Sequence, residues 1–176
     1  IRNKHNIGLQ RSIERTLPLV KTDYMAWAAS DDYLMPEFLE KSMAILKKYT
    51  DAGLCFSELS TFTNDRNIIQ RFSQNVDIEH IYNLSDLPEY CTPQAVQKRM
   101  AKSYFPPSSN TVVVKVKCLK DVGNFIPELE WHSDWLAYHM VALRNGACVI
   151  DQTLALLRVR DNSYSSLGMK DRNKVK

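Results

Sequence analysis

Two adjacent carboxylates, Asp31 and Asp32, follow directly on a short apolar run from Tyr24 to Ala29. Paired carboxylates repel one another, and a hard divalent cation relieves that repulsion. Mg²⁺ or Mn²⁺ is held in this way, by one or two carboxylates together with phosphate oxygens and water. The bland alternative is that one Asp caps the next turn and the other is solvated. Asp134 is a second candidate. It follows a stretch from Glu128 to Ser133 rich in aromatic and titratable groups, and Trp131 and Trp135 flank it. An Asp in a helix's first turn can simply complement the dipole. Beside ring faces of the kind that stack on sugars, it could instead take a proton from a hydroxyl. Arg158 and Arg160 form the third feature. Period-two alternation puts them on one face of a terminal strand, either as a solvated edge or as a cationic clamp for phosphate. The histidines, His5, His80, His132 and His139, lack metal-ligand spacing. No Ser-His-Asp arrangement and no glycine-rich phosphate loop is recognisable.

The elements that must position these groups can be read from periodicity. Residues 6–19 predict a helix, with Asn6 as N-cap, a stripe of Leu9, Ile13 and Leu17, and Pro18 near its close. The Tyr24–Ala29 run predicts a strand covered on both faces. A helix opening at Pro36 and Glu37 presents Leu39, Met43 and Leu46 and stops at Gly53. Residues 53–57 read as a buried strand, 110–116 as another, and 118–122 as a helical turn ending at Gly123. Residues 133–145 predict a helix capped by Ser133, striped by Leu136, Met140 and Leu143, and ended by Gly146. Strands at 147–151 and 153–160 follow. Residues 64–106 read as an irregular excursion, with amphipathic segments near 77–87 and 93–103, and 161–176 as a flexible tail. Alternation of helix and strand indicates an α/β sheet with crossover helices, on which ligands bind outside the carboxyl ends of the strands. Asp31 and Asp32 fall there.

Composition narrows the class. With 176 residues, 44% hydrophobic and 24% charged, the chain can bury a core as one domain. A net charge of +3 is too weak to argue for nucleic acid. No run approaches the roughly 20 apolar residues of a membrane span. Cys55, Cys91, Cys118 and Cys148 are widely spaced, which predicts free thiols in a reducing cytosol rather than a zinc site. The chain opens at Ile1 without an initiator Met, and we expect an internal cut there.

Together the motifs resemble family-2 glycosyltransferases. Asn6, Gly8 and Arg11 resemble that family's N-x-G … R segment. Tyr24 to Leu39 is similar to its strand, DxD-type motif and following helix, with Ala29 where the first Asp of that motif would stand. Gly123 and Phe125 resemble its G-x-F turn. Ser133, Asp134 and Gly146 are similar to its E-D … G helix, and Leu157 to Ser163 resembles its closing R-x-H-x-x-S segment, with Arg160 in the place of His.

The resemblance implies a GT-A, Rossmann-like fold: an α/β mixed sheet flanked by helices, here lacking the first strand-helix unit, as a single partial domain over 1–176. It implies an inverting, metal-dependent enzyme serving bacterial surface polysaccharide synthesis. Asp32, with Asp31 beside it, would hold Mn²⁺ or Mg²⁺ against the diphosphate of a nucleotide sugar, a UDP-sugar by expectation. Asp134 would be the general base, and Arg158 or Arg160 would neutralise the leaving group. Asn6, Gly8 and Arg11 would lie near the nucleotide, and Trp131 and Trp135 near a saccharide or lipid-linked acceptor. The setting would be cytoplasmic, and a lipid-linked acceptor would imply peripheral membrane contact. The competing reading is a non-catalytic binding or scaffold module that keeps the fold.

Overall fold

The computed structural model describes residues 2–62, 69–71 and 84–160. Its centre is a parallel pair of long strands, β3 (Leu54–Phe62) and β7 (Ala147–Arg158). Around them stand β1 (Tyr24–Ala26), β2 (Tyr33–Leu34), β4 (Ile69–Arg71), β5 (Tyr90–Cys91) and β6 (Val112–Lys115). The order is β1-β6-β3-β7-β2, with β4 added to β3 and β5 to β7. Every pairing except β3 with β7 is antiparallel. The sheet is therefore mixed, and β4 and β5 join it from within the span read as an excursion.

Period-two alternation distributes the strand side chains over two faces. Leu54, Phe56, Val112, Val114, Ala147 and Val149 face one core. Cys55, Val113 and Cys148 face the other. The first core is closed by α1 (Leu9–Thr16), α3 (Pro93–Met100), α4 (Val116–Asp121) and α5 (Ser133–Asn145). The second is closed by α2 (Phe38–Lys48), through Phe38, Ile45 and Leu46. Each such side chain, fully buried, contributes about 1.5–3 kcal/mol. All four cysteines are buried and free.

Several local expectations are corrected. Helix α1 begins at Leu9 with Gly8 as N-cap, and Leu17–Leu19 continue it as a 3₁₀ turn around Pro18. Asn6 lies outside the helix, and its Oδ1 accepts the Gly8 N–H at 3.0 Å. An Asx-type turn has won over the cap. Strand β1 is only three residues long and half-buried, because it ends the strand order. On α2 the inward side is Phe38, Ser42, Ile45 and Leu46, with Met43 packed beside them; of the expected stripe Leu39 alone, 56% exposed, faces out. Likewise α5 turns Ala137, Tyr138 and Val141 inward and leaves Leu136 and Met140 over 40% exposed. Ser133 is the first residue of α5 rather than its cap; His132 holds that place, without a side-chain capping bond. The two strands expected after Gly146 are one, β7, whose irregularity is absorbed in register shifts around Glu58.

Gly146 ends α5 at φ 77°, and a Cβ there would stand 2.6 Å from the Cys91 carbonyl oxygen. Only glycine fits this reversal, which feeds α5 directly into β7. The segment 93–100 is helical, with Thr92 Oγ1 accepting the Ala95 N–H at 3.2 Å as its N-cap. Most of the amphipathic segment expected at 77–87, together with His80, Ser163 and the tail 161–176, lies outside the described residues. No helix among the described residues is long and apolar enough to cross a membrane.

Candidate active site

Strands β1 and β2 stand at opposite ends of the strand order, so residues 27–32 cross the carboxyl end of the sheet between them. Asp31 and Asp32 lie on this crossing. Asp32 is held from three sides. Its N–H reaches the Ala29 carbonyl at 3.3 Å. Its Oδ1 accepts the main-chain N–H of Arg158, at the end of β7, at 2.9 Å. Its Oδ2 accepts the side-chain amide of Asn110. Arg158 Nε in turn donates to the Asp31 carbonyl at 3.0 Å, and its guanidinium lies 4.9 Å from the Phe62 ring centroid. Arg160 stands 3.7 Å from the Asp31 carboxylate as a half-exposed pair, worth about 0–1 kcal/mol. Arg160 thus meets the Asp31 carboxylate, while Arg158 meets the Asp32 carboxylate through its main chain and the Asp31 carbonyl through its side chain.

The carboxyl group of Asp32 is pushed above the usual range. Burial is the largest cause and the charge of Asp31 adds to it, while the Arg158 N–H, Asn110 and the Arg158 charge oppose. Hard oxygen donors suit Mg²⁺ or Mn²⁺, and each oxygen of Asp32 has a further lone pair beyond its hydrogen bond. Among the described residues no cluster of three or more His, Cys, Asp and Glu could hold a metal. An ion at Asp31 and Asp32 would have to take its remaining ligands from phosphate and water.

Asp134 opens α5. Its Oδ2 accepts the Ser109 hydroxyl and its Oδ1 lies 2.8 Å from the Trp135 nitrogen. Burial raises its carboxyl group, opposed by main-chain N–H groups of the helix start and by His132. One turn on, the buried Tyr138 hydroxyl is pushed up by burial first and by the charge of Asp134 second, with Ser109 opposing.

The approach to α5 is set by Glu130, which holds φ 50° and ψ −125° and kinks the 3₁₀ run Pro127–His132. A non-glycine residue there is strained. Its carbonyl, turned aside, accepts Gln10 Nε2 at 2.8 Å, which ties α1 to this corner. Asn6, Gly8 and Arg11 are exposed at the start of α1. Trp135 packs on Tyr104 and His139, at centroid distances of 4.8 and 4.7 Å, and these three line a groove of about 330 Å³ with Met100, Phe105 and His132. Trp131 packs instead on His132 and is outside that lining. Neither this groove nor a cleft of about 630 Å³ lined by residues 20–24 and by Lys115, Lys117, Lys120 and Asp121 takes in Asp31 or Asp32.

What sequence reasoning missed is the link between the carboxylates. Ser109 and Asn110 are consecutive, and one binds Asp134 while the other binds Asp32. They sit in a 3₁₀ turn, Ser109–Thr111, where Thr111 N and Oγ1 both donate to the Ser108 carbonyl at 2.8 and 2.9 Å. Pairing of Ala26 with Val113 places this turn beside the chain as it leaves β1. The available signal was a Ser-Ser-Asn stretch after Pro106 and Pro107 and immediately before an apolar strand.

No protein-family model matches the chain, and no curated protein does. Solved structures do. The fold resembles that of S. aureus TarS. The crystal structure of TarS 1–349 in complex with UDP-GlcNAc matches at 19% identity and a TM-score of 0.55, covering 86% of this chain and 39% of that one. TarS 1–349 alone matches at 18% identity and 0.57, covering 89% and 42%. A further TarS structure matches at 14% and 0.55, over 86% and 24%. The chain therefore spans about two-fifths of the TarS 1–349 structures. At this identity the likeness is one of fold, a mixed α/β sheet flanked by helices.

Proposed function

We propose that this chain carries the sugar-transfer centre of an inverting glycosyltransferase that uses a nucleotide-diphosphate sugar, a UDP-sugar, and a saccharide or lipid-linked acceptor. The observation that carries the reading is the convergence of two carboxylates, Asp32 and Asp134, on the adjacent residues Asn110 and Ser109. The TarS structure with UDP-GlcNAc supports the choice of donor class.

In this reading Asp134 accepts the proton of the acceptor hydroxyl. The hydroxyl oxygen bonds to the anomeric carbon as the bond from that carbon to the diphosphate oxygen breaks on the opposite face. The bonding pair leaves with the nucleoside diphosphate. Arg158 and Arg160, already turned toward Asp31, offset the charge that develops there. Asp32 and Asp31 would hold Mn²⁺ or Mg²⁺, which when bound acts as a Lewis acid toward the diphosphate. Trp135 offers a ring face to an acceptor sugar. The second reading, a non-catalytic binding module, draws on the fact that both oxygens of Asp32 are already engaged by protein donors.

The test is a titration of UDP into the full-length protein with and without Mn²⁺, repeated with Asp32→Ala. Metal-dependent binding that Asp32→Ala abolishes supports transfer. Folded wild-type protein that binds no UDP at any Mn²⁺ concentration removes the UDP-donor proposal and favours the binding module.

A further inference from the structure

The two carboxylates come from distant parts of the chain. Among the described residues they share a support in the Ser109–Asn110 step. The Asn110 contact to Asp32 spans 78 positions in sequence and the Ser109 contact to Asp134 spans 25. Asn110 is buried, and the turn that carries it runs straight into the buried strand β6. Such a turn has little freedom. Each side chain therefore reaches its own carboxylate from one fixed turn.

We propose that Ser109 and Asn110 are positioning residues that clamp both carboxylates in one frame, Asn110 setting the Asp32 carboxylate for a divalent cation and Ser109 setting the Asp134 carboxylate as proton acceptor. The proposal rests on the glycosyl-transfer reading above and adds to it the part that fixes the spacing of its two halves. Asn110 offers an N–H donor that leaves lone pairs of the carboxylate open, the pattern by which outer residues orient metal-ligating carboxylates. Ser109 donates to the charged form of Asp134 and so favours the form that accepts a proton. The titratable groups facing Asp134 among the described residues are His132 and Tyr138. Both are retained in every variant below.

The clamp makes a crossed prediction in the full-length protein. Asn110→Ala should weaken Mn²⁺ binding about 10–100-fold, read by calorimetry with UDP present, and should leave the acid limb of the kcat/KM profile in place. Ser109→Ala should move that limb upward by about half to one pH unit, since one hydrogen bond to the carboxylate is lost, and should leave Mn²⁺ affinity unchanged. Ser109→Thr keeps the hydroxyl and should restore the wild-type limb. If Asn110→Ala does not fold, Asn110→Ser, too short to reach Asp32, takes its place. Wild-type protein that binds Mn²⁺ and UDP while neither variant moves its own readout, or while each moves both, overturns the clamp alone. Wild-type protein that binds neither overturns the transfer reading and the clamp with it.

Discussion

Helix α5 has an aspartate near each of its ends, and the two are held in opposite ways. Asp134, in the first turn, is half-buried, and burial raises its carboxyl group. Asp121 lies at the other end, where Arg144 Nη1 donates to its carbonyl at 3.0 Å. About 15 Å of helix separates the two regions. Asp121 is exposed and is pushed below the usual carboxylate range, chiefly by its hydrogen bond with Lys117 four residues earlier. The more spacious hollow, about 630 Å³, is at the Asp121 end. Its Asp121 is paired in solvent with a neighbour in sequence, Lys117. The Asp134 end gathers groups from across the chain and withholds water from a carboxylate. Convergence of distant polar groups, rather than open volume, marks the end suited to chemistry.

The largest effect should come from Asp134→Asn. Loss of a general base costs about 10²–10⁴-fold in kcat, measured as sugar transfer under saturating donor. The same substitution should raise the melting temperature at neutral pH. The sign follows from linkage: a carboxyl whose pKa is raised in the folded state contributes stability below its ordinary pKa and loses it as pH rises through the folded value. Asparagine avoids that loss, so its advantage should be greatest at neutral pH and vanish in acid. An unchanged rate, or a lower melting temperature at pH 7, would remove the distinction between the two ends.

A smaller effect is expected from Arg158→Ala. The main-chain N–H to Asp32 survives, but the Nε bond to Asp31 and the contact with Phe62 are lost. Removing a charge-assisted hydrogen bond of roughly 1.5–3 kcal/mol predicts a loss of about 10-fold to 100-fold in kcat/KM. Arg158→Lys should recover little of it, because the planar fork is gone. Arg160→Ala, whose pair with Asp31 is half-exposed at 3.7 Å, should cost less. Equal losses at both positions would mean that long-range charge, not the geometry of Arg158, sets the effect.

The two ends also differed in how well the sequence foretold them. Helix α5 was legible in its extent, since Gly146 marks its stop, but not in its buried face, since Leu136 and Met140 are exposed. The position of Asp31 and Asp32 past a strand was legible from the apolar run before them, whereas the approach of Arg158 and Arg160 to them is visible only in the fold. Strand β2 was not legible. Two residues carry no period, and their pairing with Leu156 and Ala155 is decided by a strand over a hundred residues away. The inward face of α2 was read correctly at Met43 and Leu46 but not at Leu39, because Ser42, buried and polar, interrupts the apolar stripe that Phe38 and Ile45 begin. Ser109 and Asn110 escaped because turn chemistry explains a Ser-Ser-Asn stretch locally. Their partners are visible only once β1 and β6 are paired.

The smallest effects belong to the Asp121 end, and they carry the opposite sign. Asp121 has a lowered pKa, so its contribution to stability is present above the ordinary carboxylate pKa and is lost as pH falls through the folded value. Asp121→Asn should therefore lower the melting temperature slightly at neutral pH, by no more than about 1–2 °C. The difference should shrink in acid and in high salt, where the exposed pair with Lys117 is screened. Lys117→Ala should do the same, and neither should alter the transfer rate. Melting curves of Asp134→Asn and Asp121→Asn across pH 3–8 make the comparison in one experiment. Opposite shifts at neutral pH that converge in acid would mean that α5 carries a strained carboxylate at one end and a satisfied one at the other. Shifts of the same sign would make Asp134 an ordinary helix-start aspartate.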